Sequence, residues 1–143
     1  MQILLDNNAI DKLAKNIDLV KNHTDIQFYV CRETVKEVSN NATYNPTNNI
    51  TALLKIGVKY VPNGLFILGY SRLDGESTFC SASTADAYRR ILNKNCSNRA
   101  DAMVAATAVS HNYVLLTDDK RLYAKMKKYG YQVMSFDEFL QLL

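Results

Sequence analysis

Apolar positions along this chain alternate between two kinds of pattern. Compact apolar runs occupy residues 2–5, 26–30, 113–116 and 131–134, and runs of this length bounded by turn formers predict buried strands. Between them the apolar residues fall three or four apart. Ile10, Leu13, Ile17 and Val20 predict a helix over 9–20, and Val35 and Val38 begin another over 33–38. Residues 50–56 read as a short apolar helix closed by Gly57, and Ser83 or Thr84 caps a helix reaching Leu92. Asn98 caps a helix carrying Ala102, Ala105, Ala106 and Ala108, slim enough to pack closely. A helix over 121–129 stops at Gly130, and residues 136–142 form a last one. The Asn- and Thr-rich residues 39–49 and residues 73–80 read as loops, whereas 58–68, broken by Pro62, Asn63 and Gly64, fits either a strand or irregular cover. Strands alternating with helices, undivided by repeat or linker, predict one domain over residues 1–143. Its expected class is α/β, a three-layer α/β/α sandwich around a mainly parallel sheet.

Composition narrows this little. Hydrophobic and charged fractions of 48% and 22% are those of a soluble globular domain. No apolar run reaches membrane-spanning length, and the N-terminus shows no secretory pattern, so no membrane partner is expected. Cys31, Cys80 and Cys96 form no CxxC pair, which speaks against a zinc site or disulfide framework and is compatible with a cytoplasmic protein. The net charge of +3 matters only if basic residues surround an acidic pocket, where they would hold phosphates.

Four acids change the picture: Asp6, Glu37, Asp101 and Asp119, each at the edge of a different apolar segment. Asp6 and Asp119 follow the carboxyl ends of predicted strands, where open parallel sheets build their sites. Asp101 stands at a helix start, where the dipole favours its charge. Glu37 sits about one turn into a helix, four residues after Glu33. Each has a plainer explanation. Asp6 serves equally as a helix cap, Asp101 as part of a capping box, Glu37 as a solvated helix residue, and Asp118 or Asp119 as a turn former. Brought together, the four would form an acidic hollow that requires protons or a divalent cation to neutralise it.

The segments around these acids resemble the PIN domain, and within it the small VapC-type toxin ribonucleases. Ile3-Leu4-Leu5-Asp6-Asn7-Asn8, Thr34-Val35-Lys36-Glu37-Val38, Asp101-Ala102-Met103-Val104-Ala105-Ala106 and Leu115-Leu116-Thr117-Asp118-Asp119 match its four motifs in order, the third most specifically. The spacing of the last motif favours Asp119 over Asp118, and that of the second favours Glu37 over Glu33. The resemblance implies a metal-dependent endoribonuclease with Mg²⁺ or Mn²⁺ held by Asp6, Asp101, Glu37 and Asp119, these four being the catalytic residues. It further implies a homodimer, an RNA substrate, and a cognate antitoxin whose tail blocks the pocket. Asn8, Thr117 and Asp118 are supporting candidates; Thr117 could orient the carboxylates or simply satisfy backbone at a strand end.

Arg32, Lys36, Arg99 and Lys120 flank the acids and are candidates for nucleic-acid contact, as is the basic helix with Arg121, Lys125, Lys127 and Lys128. Tyr29, Tyr44 and Phe66 could stack bases or pack in the core. Asp86, in an Ala-Asp-Ala triplet, reads as a surface residue, and His23 and His111 lack ligand spacing. Two rival functions remain. A haloacid-dehalogenase-type phosphatase requires an Asp where Asn8 stands. A catalytically silent PIN-like module that binds RNA or protein would have no need of all four acids.

Overall fold

The structure, a computed structural model, describes residues 1–40, 46–68, 70–71, 74–75 and 77–143. Of the loop expected over 39–49, residues 41–45 with Tyr44 lie outside the described residues, as does part of the loop over 73–80, whereas 39–40 close one helix and 46–49 open the next. Five strands, β1 (Gln2–Leu5), β2 (Gln27–Cys31), β3 (Lys59–Val61), β4 (Val114–Leu116) and β5 (Val133–Met134), form one sheet in the order β3-β2-β1-β4-β5. Every pairing is parallel. β1 is central, and the chain winds outwards from it in both directions, so the order reverses between β1 and β4. Among the described residues seven α-helices lie between the strands and an eighth follows β5: α1 (Asn7–Lys15), α2 (Ile17–Val20), α3 (Arg32–Asn40), α4 (Pro46–Lys55), α5 (Ala82–Leu92), α6 (Arg99–His111), α7 (Lys120–Lys128) and α8 (Phe136–Leu140).

Strand residues alternate between two cores, as a pleated sheet buried on both faces requires. Leu4, Tyr29, Cys31 and Leu115 pack with α5, α6 and α7; Ile3, Leu5, Phe28, Val30 and Leu116 pack with α1, α3, α4 and α8. Burying a side chain such as Leu4 or Leu116 stabilises the fold by roughly 1.5–3 kcal/mol. The alanine face of α6 is buried from Ala102 to Ala108. Its slimness allows Gly64 to lie against it, where the Gly64 amide donates to Thr107 Oγ1 at 3.0 Å.

Several boundaries differ from the sequence expectation. The first helix breaks at Asn16, whose side-chain amide donates to the Lys12 carbonyl at 2.8 Å and ends α1, leaving α2 as a separate turn. The helix expected from Ile50 starts at Pro46, a residue suited to a first helical position because its missing N–H has no partner to lose. The cap of α5 is Ser81 rather than Ser83 or Thr84, since its hydroxyl accepts from the Thr84 amide at 3.3 Å. Asn98 does precede α6, but its side chain donates to the Leu92 carbonyl instead of capping. In residues 58–68 a three-residue strand, β3, is followed by irregular cover. Among the described residues no helix is long and apolar enough to cross a membrane.

Candidate metal-binding active site

The site lies beyond the carboxyl ends of β1 and β4, at the reversal of strand order. Asp6 is the first residue after β1; its amide donates to the Leu116 carbonyl at 3.0 Å, and its side chain caps α1 by accepting from the Asn7 amide at 2.8 Å. The other carboxylate oxygen accepts from Thr117 Oγ1 at 2.6 Å. Asp6 is 6% exposed and Thr117 fully buried. The same Thr117 hydroxyl accepts from the Asp119 amide at 3.1 Å, so one side chain ties the ends of both strands together. Asp119 in turn caps α7, accepting from the Arg121 and Leu122 amides at 2.7 and 3.0 Å. Asp101 occupies the third position of α6. Glu37 projects from α3, whose place is fixed by the buried Thr34 hydroxyl donating to the Leu5 carbonyl at 3.0 Å.

Three helices, α1, α6 and α7, thus begin at this edge with a carboxylate in or just before their first turn. Their dipoles offset part of the repulsion among those charges. The remainder appears as proton affinity. Burial lifts Asp6 above the ordinary carboxylate range despite the Thr117 and Asn7 hydrogen bonds, and the charges of Asp101 and Asp119 add to the rise. Burial and Asp119 raise Asp101, against the pull of Lys125. Glu37 is pushed up to about 7 by burial and by the charges of Asp6, Asp101 and Glu33. Asp6 and Asp101 therefore lie within electrostatic reach of each other and of both Glu37 and Asp119.

The neighbouring acids are differently engaged. Asp118 points away: it accepts from the Phe136 amide at 3.2 Å and pairs with Lys12 at 3.0 Å, anchoring α8 and α1. Glu33, 4% exposed, receives hydrogen bonds from Asn63 and Lys36 on one oxygen and from the Tyr70 hydroxyl on the other. Asn8 is exposed and makes no hydrogen bond to these acids; Asn7 lines the cleft instead. That cleft, an open space of about 530 Å³, is lined by Glu33, Lys36, Glu37, Asn40, Tyr70 and Ala100 as well. Lys36 and Arg99 stand at its rim beside Tyr70. Arg32 lines an adjoining groove, and Lys120 is exposed at the start of α7. Tyr29 is buried and stacked on Tyr113 at 4.3 Å, and Phe66 packs on Phe79 at 5.8 Å. Asp86 pairs with Arg89 on the surface. Sequence reasoning did not single out Asn63 and Tyr70 as site residues, because they come from a stretch with no motif and reach Glu33 only through the folding of the irregular cover.

Mutually repelling carboxylates with raised proton affinity are a donor set suited to a hard cation such as Mg²⁺ or Mn²⁺. Among the described residues, however, no three acidic, His or Cys side chains already converge as a ligand set. Thr117 and the helix caps engage Asp6 and Asp119, so an ion would draw the side chains inwards from these positions.

A model of the PIN domain matches residues 3–129. The fold is also similar to solved structures of low sequence identity. One is PAE2754 from Pyrobaculum aerophilum (TM-score 0.64, 18% identity, 99% of this chain and 94% of that one). Another is the PilT N-terminus domain protein SSO1118 from Sulfolobus solfataricus (0.57, 16%, 99% and 92%). A third is VapBC-1 from nontypeable Haemophilus influenzae (0.56, 19%, 96% and 99%). No curated protein matches the chain in sequence.

Proposed function

The chain belongs to the PIN domain family, and from that premise we propose that it is an Mg²⁺- or Mn²⁺-dependent endoribonuclease acting as the toxin of a toxin–antitoxin pair. The observation that carries this reading is the electrostatic coupling of Asp6, Glu37, Asp101 and Asp119 at the sheet's reversal point. The caps that Asp6 and Asp119 make account for each acid singly, but not for placing mutually repelling charges at one partly buried edge. Asp6 and Asp101 would hold the ion, with Glu37 and Asp119 completing its surroundings directly or through water. When bound, the ion supplies an activated water and stabilises charge developing on the phosphodiester. The chain's own groups do the rest. Thr117 orients Asp6, and Glu37, whose proton affinity is raised in the metal-free site, would give up that proton as the ion enters. The basic residues Lys36 and Arg99 bring the RNA backbone to the rim of the cleft.

The toxin assignment and an antitoxin partner draw on the likeness to VapBC-1; the homodimer is proposed from the motif resemblance alone. The competing reading, a silent binding module, draws on the absence of a preformed ligand set among the described residues. An RNA cleavage assay with Mg²⁺ or Mn²⁺ against EDTA separates the two. We expect divalent-dependent endonucleolytic cuts that disappear in Asp6→Asn and Asp101→Asn. A folded wild-type chain that never cuts RNA under any divalent ion would leave the binding module.

A further inference from the structure

The cluster around Tyr70 is not explained by the acidic site itself. The Arg99 guanidinium lies 4.9 Å and the Lys36 ammonium 5.6 Å from the centre of the Tyr70 ring. Two cations are thus gathered on one aromatic ring despite their mutual repulsion. Arg99 is also the first residue of α6, at the positive end of the helix dipole, where a cation is disfavoured. Its charge also bears on the hydroxyl of the buried Tyr88. Among the described residues no carboxylate pairs with it within 4 Å. Tyr70 is fixed as well. Its hydroxyl donates to Glu33 Oε2 at 2.8 Å, while Glu33 Oε1 receives Asn63 at 3.3 Å and Lys36 at 3.4 Å. Burial and the bond to Glu33 push the Tyr70 hydroxyl up to about 12, so it stays protonated and keeps donating. A preorganised pair of cations, placed where stability alone would not put Arg99, fits a function of that pair.

Resting on the nuclease reading above, we propose that Arg99 and Lys36, assembled on the ring of Tyr70, form a phosphate subsite for RNA at the rim of the acidic cleft. It holds a backbone phosphate neighbouring the one at the acids. The chemistry selects phosphate because a guanidinium and an ammonium converge on oxygen anions with charge-assisted hydrogen bonds. The ring carries the two cations and acts as their platform, so it is not the surface on which a base stacks. Tyr70 is a positioning residue: its substitution acts through the two cations.

The test is fluorescence anisotropy of a short fluorescein-labelled single-stranded RNA with the full chain in EDTA, across a NaCl series. Arg99→Gln and Lys36→Gln should each flatten the slope of log K against log salt by about 0.7, the contribution of one single-strand phosphate contact. Lys21→Gln, between α2 and β2 at the opposite, amino end of the sheet, should leave the slope as in wild type. Tyr70→Leu removes no charge, yet it should weaken binding about three- to ten-fold, comparable with losing one cation. Tyr70→Phe keeps the ring and should lose less. If Tyr70→Leu fails to fold by thermal melt, Arg99→Gln and Tyr70→Phe decide. Slopes for Arg99→Gln and Lys36→Gln equal to that of Lys21→Gln, or no measurable RNA affinity in wild type, would overturn the subsite. A chain that cleaves RNA with unchanged slopes in both variants refutes the subsite alone. One that binds with the expected slopes and never cleaves refutes the nuclease alone.

Discussion

Thr117→Val is the sharpest probe of the site. Valine has nearly the shape of threonine, so the buried packing survives while the hydroxyl is lost. That hydroxyl makes a 2.6 Å bond to Asp6 and a 3.1 Å bond from the Asp119 amide, in a position with no access to water. A hydrogen bond to a charged group contributes roughly 1.5–3 kcal/mol and a neutral one about 1 kcal/mol. The expected loss is therefore about 2 kcal/mol when Asp6 is protonated and about 2.5–4 kcal/mol when it is ionised. For a domain of this size that is a fall in Tm of roughly 5–10 °C. Losing a group that orients a ligand typically weakens metal affinity or activity about 10- to 100-fold, so the Mg²⁺ or Mn²⁺ midpoint for cleavage should rise by that order. Thr117→Ser retains the hydroxyl and should keep most of the metal response, with a smaller stability loss from the missing methyl. Thermal melts in EDTA, paired with cleavage titrated against the divalent ion, measure both effects. A valine variant that melts within about 2 °C of wild type and cleaves with an unchanged metal midpoint would refute the role assigned to this hydroxyl.

Three further outcomes are expected. Glu37 titrates near 7 in the folded chain against an ordinary 4.5. Between those values the folded state holds a proton that the unfolded state has released, so stability in EDTA should fall as pH rises through this window and level off above it. Glu37→Gln should flatten the profile, added Mg²⁺ or Mn²⁺ should reverse the fall, and melts that become more stable over the same window in EDTA would contradict the cause assigned. Asp118→Ala, which loses the Lys12 pair and the Phe136 amide bond, should lower Tm while cleavage persists; Asp119→Asn can keep the α7 cap but should lose cleavage, and the opposite assignment of activity between the two would exchange their roles. Gly64→Ala would place a methyl carbon 2.6 Å from Ser110 Cβ and 2.9 Å from the Thr107 backbone, a collision worth about 1–3 kcal/mol, so denaturant melts should show a clear loss; an unchanged midpoint would mean that the irregular cover is not seated on α6.

Local pattern made most of the architecture legible. Residues 2–5 formed a strand as expected because an apolar run ending in Asp-Asn-Asn leaves little else for it to do. The alanine-rich face of α6 and the stop at Gly130, with φ of 74°, were equally local signals. Misplaced boundaries came where side chains chose between several backbone partners. Asn16 bonded back to Lys12, and Ser81, outside the expected helix, reached the Thr84 amide. At the site the motifs singled out four segments that the sheet brings near one another, but could not choose within them. Asp118 is drawn away by Lys12 and the Phe136 amide, which α1 and α8 supply, whereas Asp119 caps α7 and acts on Asp6 and Asp101. Glu33 and Glu37 share a helix face in sequence terms; Asn63, Lys36 and Tyr70 engage Glu33 and leave Glu37 facing Asp6 and Asp101.

Sequence by itself determined which segments become strands and helices, and therefore that Asp6 and Asp119 would emerge at the carboxyl ends of strands. Hydrophobic periodicity and chain punctuation act over a few residues, and those are printed in the chain. Tertiary structure alone decided that Thr117 would couple two acids 113 positions apart, that Glu33 would be withdrawn into a tyrosine-bound cluster, and that Arg99 and Lys36 would meet on Tyr70. Such contacts depend on which distant surfaces the sheet order and the cover loop press together, and burial then sets their strength by removing the water that would otherwise screen them.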